Sequence, residues 1–500
     1  MIFSWILFIC YLLGTSYLGW LGYKKTKGDF KSFAIGKGDI SPFVVGVTLA
    51  TSTASAATFI INPGFIYVDG LSAFMHLGAG SFFGILTMLL ILSFSFRRQG
   101  NQFMALTIPD WIGKRYGSPA YSLYFACVNL LSFAFIVLLV GGISIVMQKQ
   151  LGISNITALV ITLVFVTTYV LYGGTYAHVY TNMLQGVLMI IITILIIGSG
   201  IYVLFVIKPS LLTDLALTNP EMLKISNPQS KLFSNHFSSW ISGFLIGAAL
   251  VCQPHILTKA LYVKTDRDVG KYIAVFGVVY ILFTALLLSG FWAHGVISAE
   301  QLIDMESGQF RQDLVMTVYL YKVFPPWIFS IISIVLLAAA MSTLDGLLVG
   351  VSTITSNDLI LNATQWISGS GMNSVSRYRL AAKFTQVILV VIAISVFFVN
   401  IHPPRLLGIY GQTGVYGLVV AAVPPLLYGV IFKDSPLIPL WILSVLAPLI
   451  HFLLFFYGEG LFGGFGFSFA NPGVTASIAL IIILIPLFII GIYRMKFRSN

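Results

Sequence analysis

Residues 51–67 read TSTASAATFIINPGFIY, a tract of Thr, Ser and Ala followed by Asn62, Pro63 and Gly64, set inside an otherwise apolar run. A helix that crosses lipid satisfies its own backbone hydrogen bonds, so unwound backbone is tolerated only against protein or a water-filled cavity. A hydroxyl-rich, Pro/Gly-interrupted segment at that depth therefore marks one of two things. It is a close helix–helix contact built on small residues, or an opened helix whose freed carbonyls face an ion or solute. What the rest of the chain places opposite it decides between them.

The surroundings are those of a membrane protein. Of 500 residues, 58% are hydrophobic and 9% charged, with mean hydropathy +0.96, whereas a soluble domain carries about 25% charged residues. Apolar runs of about 20 residues, enough to cross a bilayer, recur from end to end. Thirteen are read, at 3–23, 41–67, 71–96, 120–148, 154–172, 179–207, 237–260, 271–296, 325–356, 381–400, 405–431, 436–457 and 474–493. Cytoplasmic loops hold most of the Lys and Arg of such proteins. With the N-terminus outside, Lys149, Lys208, Lys224, Lys231, Arg311, Lys322 and Arg405 fall outside and the other 20 of the 27 inside, Lys27, Lys259, Arg377 and Arg498 among them. Topology thus accounts for the net charge of +11, and no nucleic-acid partner is implied.

The first span lacks a basic flank and a small-residue cleavage site, so it reads as a retained helix. The longest loops expected, 208–236, 297–324 and 357–380, leave no room for a catalytic or receptor domain. Cys10, Cys127 and Cys252 lie in separate spans without paired spacing, which indicates neither a disulfide framework nor a zinc site. Trp20, Tyr23, Trp111 and Trp327, near span ends, read as interfacial anchors. His178 falls in a short inside loop, and His255 at the membrane edge.

A second interrupted span accompanies the first. Residues 242–255, SGFLIGAALVCQPH, carry Gly243, Gly247 and Pro254. Five spans begin with the first broken segment (41–207) and five with the second (237–431). An odd number of spans per repeat makes the copies opposite in orientation, so a 5+5 inverted repeat is expected, with 3–23 before it and two helices, 436–493, after it. A further polar cluster, AAAMSTLDGLLVG at 338–350, sets Ser342, Thr343 and Asp345 in an apolar context. A hard cation such as Na⁺ takes oxygen ligands, and two hydroxyls facing freed carbonyls near Thr51 and Ala54 would supply them. The same hydroxyls can instead back-bond to carbonyls one turn earlier. Pattern leaves both readings open.

Taken together, the broken early helix, MSTLDGLL, YGGTYAHVYTNMLQG at 172–186 and QPHILTKALYVKTDRDVGK at 253–271 resemble the sodium/solute symporter family, over roughly residues 10–495. The resemblance covers its pantothenate, proline and monocarboxylate (acetate) branches. It implies an all-α polytopic fold of the leucine-transporter type, thirteen spans with N-terminus outside and C-terminus inside. By position, it implies a Na⁺ site made of backbone oxygens of Thr51, Ala54 and Ala339 and the hydroxyls of Ser342 and Thr343. Solute contacts would come from Ser55, Ala57 and Thr58, with Gln412, in LLGIYGQTGVYG, facing the pathway from an interrupted helix. Where the family often has an acid, this chain has Asn182, which argues against a second Na⁺ and for 1:1 stoichiometry. Asp345 would substitute for it in part, the two marking an ion-release path.

The expected activity is Na⁺-coupled symport, by alternating access, of a small organic solute. A monocarboxylate-type compound such as acetate, pyruvate or pantothenate is expected, or an amino acid, imported across a bacterial cytoplasmic membrane. Na⁺ is the coupling ion, and no obligatory protein partner is implied. The alternatives are a proton-coupled symporter of the same fold and, further off, a channel. A membrane-embedded enzyme would need clustered His and Asp in adjacent spans, which the sequence does not offer.

Overall fold

The computed structural model describes residues 2–26, 30–303, 308–362, 374–404, 406–463 and 466–497. Lys27, Arg405, Arg498, the side chain of Arg377 and the middle of the 357–380 loop lie outside the described residues. Within them the protein is helical, with one isolated β-bridge, Ile303 to Phe310. Ten helices are long and apolar enough to cross a membrane, or twelve when each of two sharply bent pairs is taken as one span.

In chain order these are α1 (Ile2–Thr26), the bent pair α2 (Pro42–Thr53) and α3 (Ala57–Asp69), α4 (Leu71–Phe103), α5 (Pro119–Leu151) and α6 (Asn155–Ile207). Then come the bent pair α7 (Phe237–Leu250) and α8 (Pro254–Tyr262), α9 (Asp266–Ala293), α10 (Pro326–Leu361), α11 (Arg379–Ile401), α12 (Leu407–Ile431), α13 (Leu437–Phe462) and α14 (Pro472–Lys496). The two bends measure 54° and 66°. Large apolar side chains such as Ile9, Val164, Ile194, Val391, Leu449 and Ile489 point outward from α1, α6, α11, α13 and α14. A soluble surface would not expose so much; lipid is the solvent these faces match.

The centre is built from α2–α3, α10 and α12, whose residues are mostly buried, while α1, α11 and α13 lie at the periphery. α10 packs against α6, α5 and α2; α9 packs on α2; and α7 packs on α4. Gly243 and Gly247 serve that last contact rather than the break. A Cβ on either would meet the α4 backbone at His76 or Ser81 within 2.5 Å. The bend itself falls at Val251–Gln253, just before Pro254.

α6 covers both of the spans expected at 154–172 and 179–207, and no loop separates them. Its continuity is interrupted at one residue, Gly174, with φ 52° and ψ −138°. Only glycine reaches that region without strain. The kink makes room for the segment joining α1 to α2: a Cβ on Gly174 would strike the Phe33 ring, Thr175 Oγ1 donates to Ala34 O at 2.8 Å, and Thr26 Oγ1 donates to the Gly173 carbonyl at 2.9 Å. The Tyr176 phenol donates to Asp39 Oδ1 at 2.5 Å, which holds that carboxyl below its ordinary range. His178 therefore sits inside a helix, buried, and not in a loop.

Three further expectations change. Asn62-Pro63-Gly64 does not interrupt the chain; it continues α3, with Pro63 in the first turn of an α-helical stretch after a π-helical one. Proline fits there because the turn before it is already off the i→i−4 ladder, the Asn62 amide reaching Ala57 O. Gly64 is required by the Gln312 carbonyl, which would lie 2.1 Å from a Cβ. Trp111 is fully buried, unlike the exposed Trp20, Tyr23 and Trp327. α12 runs unbroken through Gln412.

Candidate functional site

The break between α2 and α3 falls at Ala54-Ser55-Ala56. There the Ser55 amide turns to Thr53 O, and the Ala57 amide to Ser55 Oγ. An unbroken helix would send the amides of residues 55 and 56 to Thr51 O and Ser52 O, so the break frees both carbonyls. α10 meets them. Ser342 Oγ donates to Thr51 O at 3.2 Å and also back-bonds to Ala339 O at 2.6 Å, while Thr343 Oγ1 donates to Ser52 O at 2.9 Å. Ser342 thus back-bonds within α10 while its hydroxyl also faces the freed Thr51 carbonyl. All five residues of the expected ion site are buried. Thr51, Ala339 and Ser342 are joined directly, Thr343 arrives one residue further along α2, at Ser52, and Ala54 caps the end of α2.

On one side of this junction lies a cavity of about 80 Å³ that brings Ser55, Ala57, Thr58 and Gln412 together. One water needs roughly 10–15 Å³ of such space, so the cavity accommodates several waters or a small solute. Its lining includes no Asp, Glu, Lys or Arg. The remaining polar lining escaped the sequence reading: Ser52, Thr53, Asn62, Ser81, Gln253, His255, Tyr280 and Tyr416. Buried Asn62 Oδ1, Gln253 Oε1 and His255 Nδ1 have no hydrogen-bond partner among the described residues, which leaves three polar atoms at the cavity wall unsatisfied by them. His255 is buried, not at a membrane edge.

On the other side lies a buried polar network. Asp345 accepts from His178 Nδ1 at 2.8 Å, from Tyr169 OH at 3.1 Å and from Thr181 Oγ1 at 3.1 Å. Asn182 donates to Ser52 Oγ at 2.7 Å, with its amide 3.4 Å from the His178 ring nitrogens. Asn182 and Asp345 thus share one network through His178. Lys259, expected in an inside loop, is fully buried instead, its ammonium donating to Thr48 O at 2.8 Å and Ser52 Oγ at 2.9 Å. Its sequence signal was an ionisable residue directly after a broken apolar run. Gln185, the end of the YGGTYAHVYTNMLQ stretch, donates to Tyr11 OH on α1 at 2.8 Å.

Among the described residues no cluster of His, Cys, Asp or Glu could hold a transition metal. A hydroxyl-and-carbonyl junction at a helix break beside an uncharged polar cavity is what a hard monovalent cation and a small solute need. The family model described as the sodium:solute symporter family matches residues 33–434.

The chain belongs to the sodium:solute symporter family.

Its similarity to the sodium/pantothenate symporter of Haemophilus influenzae is 26% identity, over 80% of this chain and 79% of that protein. To the osmoregulated proline transporter of Bacillus subtilis it is 23%, over 70% and 69%. Among solved structures, a Na⁺-coupled sialic acid symporter superposes with a TM-score of 0.69 at 14% identity, over 96% of each chain; the fold is therefore shared. This symporter is a multi-span membrane transporter and not an enzyme, and Na⁺ is its coupling ion.

Proposed function

We propose that the chain imports a small organic solute with Na⁺ across a bacterial cytoplasmic membrane, the solute being a monocarboxylate-type compound or an amino acid. The observation that carries this is the meeting of Ser342 and Thr343 with the carbonyls freed at the α2–α3 break, beside an uncharged polar cavity. Na⁺ would take oxygens from Thr51, Ala54, Ala339, Ser342 and Thr343, replacing the hydrogen bonds that now join them. Ser55, Ala57, Thr58 and Gln412 would hold the solute. With no cationic side chain in the lining, a carboxylate would rest on amide and hydroxyl donors and on the N-terminal ends of α3 and α8.

Thirteen spans follow when α6 is divided at Gly174, with N-terminus outside and C-terminus inside. The two bent pairs then open two inverted five-span repeats, 41–207 and 237–431, and each transport cycle rocks one against the other around the central site. Na⁺ bridging α2 and α10 would favour the state that faces outward; the ion would leave past Asn182 and Asp345 to a low-sodium cytoplasm, and the solute would follow. Radiolabelled acetate, pyruvate, pantothenate and proline, offered to proteoliposomes under an inward Na⁺ gradient, test the reading. One of them accumulates, and accumulation ends when choline replaces Na⁺. Accumulation driven by a proton gradient without Na⁺ would refute the coupling.

A further inference from the structure

Lys259 is unexplained by solute binding. It is not in the cavity lining, it is fully buried, and its ammonium ends on a carbonyl and a hydroxyl in the last turns of α2. Carbonyl and hydroxyl are also the donor types that meet at Thr51 and Ser342, one turn away. The carboxy-terminal end of a helix favours positive charge, and two positions there are addressed by cation-type oxygens: one at Thr51, the other at Thr48 and Ser52.

A second observation marks this neighbourhood as built for a cation. Asn182 shares Ser52 Oγ with the ammonium, is fully buried, and has an Oδ1 with no hydrogen-bond partner among the described residues. An oxygen of that kind costs free energy unless something electropositive uses it. Charge balance points the same way. Asp345 and Lys259 are both fully buried and linked through His178, Asn182 and Ser52 rather than directly; a carboxylate and an ammonium there balance each other. The pair is neutral before any ion arrives, so one Na⁺ leaves the core with a single positive charge and a second free cation would leave two.

We propose that Lys259 is a tethered cation holding the position of a second coupling ion, so that the protein binds one free Na⁺ per cycle. This rests on the Na⁺ site proposed above. Removing the ammonium while keeping an apolar stem, as in Lys259→Met, exposes Thr48 O, Ser52 Oγ and the Asn182 amide oxygen to solvent cations and leaves Asp345 uncompensated. A second Na⁺ then enters.

The test needs no solute. Thermal stability of the purified full-length protein in nanodiscs is followed as NaCl replaces choline chloride at constant ionic strength, because an ion that binds only the folded state stabilises it with a slope set by the number bound. The wild type and Lys259→Arg show a one-ion slope. Lys259→Met shows a slope twice as large, and Lys259→Met/Asp345→Asn, neutral again, returns to one. A Lys259→Met protein with a one-ion slope overturns the inference alone. A wild type unmoved by Na⁺ removes the ion site and the inference with it. If Lys259→Met does not fold, the neutral double variant decides: folding with a one-ion slope supports charge balance, and failure to fold overturns it in favour of packing.

Discussion

Ser342 and Thr343 each do two things at once, and that sets the size of the effect their loss should have. Their hydroxyls close on Thr51 O and Ser52 O, and in the proposed site they would turn their lone pairs to Na⁺ instead. An interaction of a polar group with a charge is worth about 1.5–3 kcal/mol, and one pH-unit equivalent, about 1.4 kcal/mol, is tenfold. Ser342→Ala or Thr343→Ala alone should therefore weaken apparent Na⁺ affinity by roughly 10- to 100-fold in Na⁺-titrated uptake, and the double variant by more than about 100-fold; an unchanged half-saturation refutes the ion site. Asp345 makes a different prediction, because it is fully buried and held by three donors. Breaking a buried charge pair from one side costs about 3–5 kcal/mol. Asp345→Ala should lower thermal stability by that order, measured in nanodiscs, while Asp345→Asn, which still accepts hydrogen bonds, should lose less. Sequence made Ser342, Thr343 and Asp345 visible because polar groups in an apolar run stand out. It hid Lys259, His178 and His255, whose positions near helix ends read as loop or edge until a bent helix turned them inward.

At the level of elements, the two breaks were legible where composition and backbone chemistry agree. The Thr and Ser of this tract lower its helix propensity, the Ala keep its volume small, and α2 ends inside it. Proline was misleading at Asn62-Pro63-Gly64, because the π-helical turn at Ala57–Ile61 already departs from the regular ladder that a proline would otherwise break. Glycine was misread in the opposite sense. The pair at 173–174 looked like a loop, yet it is a kink of one residue that docks the segment from Phe30 to Ile35 on α6. Gly174→Ala should accordingly be costly twice over. Positive φ costs an L-residue about 1–2 kcal/mol, and forcing a methyl into Phe33 adds about 1–3 kcal/mol. The variant should lose roughly 2–5 kcal/mol of stability, read from its thermal midpoint against the wild type; Gly198→Ala, where a Cβ meets nothing within 4 Å, serves as the control that should change little.

Over the whole molecule, the net charge moved per cycle ties the ion count to the solute. One unit charge crossing 100 mV is worth about 2.3 kcal/mol, close to a 50-fold difference in accumulation. With one free Na⁺ and Lys259 fixed in the protein, a zwitterionic amino acid travels with one net charge and should accumulate roughly 50-fold more when valinomycin and a potassium gradient impose an inside-negative 100 mV. A monocarboxylate travels as a neutral pair and should be indifferent to the same potential. The cavity lining carries no Asp, Glu, Lys or Arg and so favours neither charge type, and voltage separates solute classes that the lining does not. The two proposals also meet in this measurement. If the solute is a monocarboxylate, uptake by Lys259→Met should become potential-dependent, because the second Na⁺ now crosses unpaired; a variant that stays indifferent while binding two ions would mean that the second ion never leaves its site.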